Sequence, residues 1–121
     1  MSAQSRLTLI VITLTILSGW CDSLGFTYAA RIWQEGQLQW HNLARSALGF
    51  ATGISLYWGT IRYFSALGIV SAELQTLLWF GTTMLGVALL SGKALYWRPI
   101  DQFVAVLVLI GIAWLFVHVE N

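Results

Sequence analysis

Asp22 stands near the middle of an apolar stretch of membrane-spanning length. The run begins at Leu7, reaches Asp22 without meeting a charge, and meets its next charge at Arg31. A helix centred near residue 20 would carry Asp22 close to a bilayer midplane. A charge at that depth costs about 3 kcal/mol on insertion scales, so an ionisable side chain there is a functional hypothesis by default. A carboxylate removed from water holds a proton until a cation replaces it. One carboxylate taken alternately by a proton and by a substrate cation is the chemistry of a proton-coupled cation exporter. The competing role for Asp22 is structural, as a hydrogen-bond partner of a Ser or Thr on a neighbouring helix.

Other residues of suitable type lie on later apolar segments. Glu73 falls about one turn inside the start of such a segment, with Gln75 two residues on. An acid in a first helical turn complements the helix dipole, and that role competes with a place in the site. Helical spacing puts Glu73, Thr76, Phe80 and Thr83 on one face and Gln75, Trp79, Thr82 and Gly86 on another. Either stripe suits a cavity wall. Tyr57 and Trp58 could hold a cation by cation–π attraction or sit in an interfacial aromatic belt; Tyr63 fits the belt. Ser18, Asp22, Gly25, Phe26 and Ala29 share one face of the first segment. That face is mostly small and suits close helix packing.

Composition fixes the class of protein expected. The chain has 121 residues, 58% hydrophobic and only 9% charged. Soluble domains carry about 25% charged residues. Seven Trp and four Tyr suit interfacial belts. A net charge of +1 leaves no basic footprint for nucleic acid. One cysteine permits no internal disulfide. No His, Cys or carboxylate cluster has metal-site spacing, and His41 reads as a solvated loop residue. No nucleophile–base pair or phosphate loop is present, so neither an enzyme nor a cofactor is expected.

The pattern predicts an all-α integral membrane protein, a single domain of four transmembrane helices over about 7–33, 43–66, 69–91 and 100–119. Met1–Arg6 followed by Leu7–Leu17 has the outline of a signal peptide. Trp20 before Cys21 spoils the cleavage context, so retention as a first span is expected. Residues 34–42 form a polar loop that could hold an interfacial turn, and Leu67–Gly68 marks a short break. Gly49 and Gly53 form a small-xxx-small pair that lets backbones approach. Pro99 followed by Asp101 suits the last helix's start. That helix reads as a packing or dimerisation element, with His118 and Glu120 terminal and solvated. Arg31, Arg45, Lys93 and Arg98 outnumber Arg6 and Arg62 across the membrane. The bias predicts both termini outside and the first and third loops in the cytoplasm, with a margin small enough for insertion both ways.

These residues resemble the small multidrug resistance family and, more broadly, the drug/metabolite transporter superfamily. The likeness lies in Asp22-Ser-Leu-Gly25, in the junction from Arg62-Tyr-Phe-Ser-Ala-Leu through Glu73 to Phe80, in Leu90-Ser-Gly92-Lys93, and in Gly111-Ile112. It covers nearly the whole chain in layout and these short pieces in residues. The resemblance implies a four-helix bundle working as a dimer in the bacterial inner membrane. It also implies exchange of protons for lipophilic or guanidinium-like cations by alternating access, with Asp22 the coupling residue and Gly25 beside it. This chain has Asp where the small multidrug resistance family has Glu. It also lacks the family's close pair of glycines after a tryptophan in the third helix. The expected partners are the lipid bilayer, a small cationic or lipid-linked substrate, and a like subunit in a homodimer or heterodimer. A subunit of a lipid-linked sugar flippase, or an assembly subunit without transport of its own, stays open beside the exporter.

Overall fold

Ser2 starts the first helix, its side chain accepting the Ser5 N–H at 3.1 Å. The computed structural model describes residues 1–118, so the predicted helix end at Val119 and the solvated Glu120 lie outside the described residues. Helix α1 (Ala3–Ala29) therefore begins one turn before the predicted Leu7, because that cap supplies an acceptor for an orphan amide. It also stops a turn before Trp33. The Arg31 N–H reaches back to the Tyr28 carbonyl at 3.0 Å and the Ile32 N–H to Ala29 at 3.2 Å, tightening the coil until it unwinds.

The loop predicted over 34–42 contains a small hairpin. Strand β1 (Trp33–Gln34) pairs antiparallel with β2 (Gln37–Leu38), Trp33 opposite Leu38. Its turn needs two successive residues with positive φ, and Glu35 (52°) and Gly36 (75°) supply them. Helix α2 (Trp40–Ala66) follows immediately. It ends at Leu67, where Gly68 turns the backbone with φ 80°. Ser71 then caps α3 (Ala72–Ser91) by accepting the Leu74 N–H at 3.1 Å. Gly92, at φ 65°, ends α3. One turn of 3-10 helix over Lys93–Tyr96 leads to α4 (Pro99–His118). Gln102 braces that turn by donating to the Ala94 carbonyl at 2.9 Å, and Arg98 pairs with Asp101 at 2.8 Å.

Helix α1 is the central element. Its contacts with α2 run antiparallel, and it also packs along α3; α4 packs on α3 at the edge. The interfaces close because small residues meet. A Cβ on Gly49 would lie 2.8 Å from the Gly25 backbone nitrogen, so α1 and α2 touch backbone to backbone. A Cβ on Gly86 would lie 2.8 Å from Ser23 Cβ, and one on Gly19 would meet the Thr82 side chain. Serine hydroxyls stitch the same seams. Ser18 donates to the Gly53 carbonyl at 2.8 Å, Ser46 to Gly25 at 2.8 Å and Ser23 to Thr83 at 2.9 Å.

The buried side chains are mostly polar, and many large apolar side chains are exposed. The buried apolar side chains among the described residues are Val11, Phe64 and Leu74. The buried polar ones include Ser18, Asp22, Ser23, Ser46, Thr60 and Thr83. Outside stand Leu9, Ile12, Ile16 and Leu17 of α1 and Phe103, Val106, Ile110 and Trp114 of α4. A domain folded in water sorts these residue types the other way. Among the described residues, two helices, α1 and α3, are long and apolar enough to cross a membrane. Only 28% of either apolar window is buried, unlike the core helix of a soluble protein.

Candidate functional site

Asp22 is carried by the middle of α1 into the seam with α2 and is completely buried. Space for it exists because α2 has Gly53 opposite. A Cβ there would lie 2.6 Å from Asp22 Cγ, so a side chain on α2 and the carboxylate cannot share the place. The nearest hydroxyls do not serve the carboxylate. Ser18 gives its proton to the Gly53 carbonyl, and Ser23 gives its own to the carbonyls of Gly19 (2.6 Å) and Thr83 (2.9 Å). Among the described residues, neither Asp22 Oδ1 nor Oδ2 has a hydrogen-bond partner.

Trp79 of α3 is the side-chain donor aimed at this carboxylate, with its indole Nε1 buried and short of closing a hydrogen bond. The Tyr57 ring from α2 lies 5.5 Å from that of Trp79, tilted by 42°. Phe80 meets the Trp79 ring edge-on at 4.9 Å. Three helices thus bring one carboxylate and two aromatic faces together. The hydroxyls of Thr15 and Thr83 are also buried and unpartnered. Buried polar groups are ordinarily satisfied, so each of these unmet ones calls for an explanation. An acid beside aromatic faces in low dielectric can hold a proton, or hold a cation by charge and cation–π attraction.

The residues singled out from sequence separate into two groups. Asp22, Tyr57 and Trp79 come together. Gly25 sits one turn along α1 from Asp22, where a Cβ would lie 2.7 Å from the Phe50 ring; its part is to let α1 and α2 meet. Glu73 is exposed in the first turn of α3 and stands away from Asp22, the dipole-complementing position. Gln75 is buried, but its Nε2 donates to the Ile69 carbonyl at 2.9 Å and holds the bend before α3. Of the two α3 stripes, the one through Gln75, Trp79, Thr82 and Gly86 faces α1, as the contacts of Thr82 with Gly19 and of Gly86 with Ser23 require. Among the described residues no group of three or more His, Cys, Asp and Glu gathers to hold a metal ion.

Sequence reasoning passed over Ser23 and Gly19, which bind α3 to α1. The signal was present as Gly19-xxx-Ser23 facing Thr82-xxx-Gly86, a small-residue spacing on both partners. Comparisons with protein-family models, curated proteins and solved structures found no match to this chain.

Proposed function

We propose that this chain is a small multi-pass transporter of a membrane such as the bacterial inner membrane, in which Asp22 exchanges a proton for a lipophilic or guanidinium-like cation. The observation that carries the reading is the Asp22 carboxyl group, fully buried, without a hydrogen-bond partner, and set beside the Tyr57 and Trp79 rings. Mostly polar buried side chains, with many large apolar ones exposed, support a bilayer as the solvent for all four helices. These include α2, whose centre from Ser46 to Ile61 carries no charged residue. The resemblance of the sequence layout to the small multidrug resistance family adds a working dimer to the reading. A cation reaches Asp22 when α1, α2 and α3 part on one side of the membrane, and a proton returns when they part on the other.

The chemistry is an exchange at one oxygen pair. A protonated Asp22 gives its proton to water as the cation arrives, and the cation leaves when a proton takes its place. Proton release therefore tests the reading. Guanidinium or a quaternary ammonium compound added to the purified protein in weakly buffered solution will acidify it, and Asp22→Asn will abolish the signal. Binding without proton release in the unaltered protein would contradict the exchange.

A further inference from the structure

A second feature lies on the other side of the α1–α2 seam from the carboxylate. Cys21, Leu24 and Tyr28 of α1 face Arg45, Leu48 and Thr52 of α2 across an open groove of about 320 Å³. Its floor is Gly49, where the two backbones touch. The antiparallel pairing sets Cys21 beside Thr52 at one end and Tyr28 beside Arg45 at the other. From Cys21 to Tyr28 the groove runs two helical turns, roughly 10 Å. Its walls are mostly apolar, with Thr52 at the Cys21 end and the one charge, Arg45, at the other. There the guanidinium lies over the Tyr28 ring, 5.4 Å from its centroid. The one ion pair among the described residues is Arg98–Asp101, so Arg45 has no carboxylate. Arg45 sits about a turn and a half into α2, and the exposed Trp33 and Trp40 mark the neighbouring hairpin as interfacial.

We infer that this groove binds an anionic phospholipid, its phosphate on Arg45 at the headgroup level and one acyl chain along Leu24 and Leu48 toward Cys21. A cation held at one end by an aromatic face, joined to an apolar channel running down into the bilayer, complements that molecule in charge and polarity together. A zwitterionic lipid brings a second cationic group to Arg45 and is disfavoured. The inference rests on the membrane reading and is independent of cation exchange at Asp22.

The test uses the full chain in nanodiscs with photoactivatable phosphatidylglycerol or phosphatidylcholine carrying a diazirine on the acyl chain, with adducts mapped by mass spectrometry. Adducts on Cys21, Leu24, Leu48 and Thr52 will form preferentially with phosphatidylglycerol. Arg45→Gln will lower that preference about fivefold, the weight of one cation at a membrane surface. Arg31→Gln removes an exposed charge from the same side outside the groove and will leave the preference unchanged. Excess inorganic phosphate will not displace the lipid. Equal labelling by both lipids in the unaltered protein overturns the inference without any variant. So does an equal loss in Arg31→Gln, or displacement by phosphate alone. Adducts elsewhere on the apolar surface but not in the groove overturn the lipid site and leave the membrane reading intact; adducts nowhere overturn both.

Discussion

Gly53 of α2 leaves the notch that the Asp22 carboxyl group of α1 occupies, with a Gly53 Cβ falling 2.6 Å from Asp22 Cγ. Neither helix makes the site by itself. The glycine admits the acid, and the acid fills space that would otherwise be a void in the seam.

Replacing Gly53 with Ala therefore forces the carboxyl group or the helices apart. Overpacking of this kind costs about 1–3 kcal/mol. Gly59 lies on the same helix with nothing within 4 Å of its Cβ position, so Gly59→Ala is the matched control. It will be neutral or stabilising by about 0.5–1 kcal/mol, the usual advantage of Ala within a helix. Thermal unfolding of both variants in detergent, followed by circular dichroism, checks the contrast.

Asp22→Asn keeps the volume and breaks no hydrogen bond, because the carboxylate has none to lose. The variant will unfold within about 1 kcal/mol of the unaltered protein, whereas loss of a structural acceptor leaves an unsatisfied donor at a cost of about 1–3 kcal/mol. Stability measured alongside cation-induced proton release separates these roles. Retained stability with lost release is expected; a destabilised Asn variant would return Asp22 to a structural part.

Much of this arrangement was legible in the sequence, for identifiable reasons. Four long apolar runs with charges gathered between them can form little but helices, and their order and number appear as predicted. Asp22 stood out because nothing near it in sequence shares its charge. The end of α1 was hidden because Tyr28-Ala-Ala-Arg31 contains neither Gly nor Pro, and the chain leaves the helix through backbone hydrogen bonds alone. The hairpin was hidden because its turn is Glu-Gly, and Glu35 takes a positive φ more typical of Asn or Asp. The facing stripe of α3 was ambiguous because both candidate stripes combine aromatic with small polar residues. Gly19 and Ser23 of α1 decide it, which no reading of α3 by itself supplies.

The α1–α3 seam depends on that pair. Ser23→Ala removes one interhelical hydrogen bond and will cost about 0.6 kcal/mol, the average for such bonds in a membrane bundle. Gly86→Val drives a branched side chain into Ser23 and will cost several times more. Measuring both unfolding free energies checks the order; the reverse order would mean that the hydroxyl, not the small-residue contact, sets the seam.

Trp79→Phe keeps an aromatic face and removes the indole N–H aimed at Asp22. Cation affinity will fall about three- to tenfold, as expected for exchanging the strongest cation–π face for a weaker one. Combined with Asp22→Asn, the second substitution will add little, because residues of one network do not act additively. A titration series on the four proteins measures the coupling, and additive effects would separate Trp79 from the site.

The proposed exchange of a proton for a cation at Asp22 has to move charge or substrate across a membrane. Its most direct test is electrical, with the purified protein in proteoliposomes under a proton gradient, perfused with quaternary ammonium, guanidinium and amine compounds. A current with at least one such cation, lost in Asp22→Asn, is the expected result. No current for any compound, or the same current in the variant, would contradict it and turn attention to lipid-linked substrates and a partner subunit.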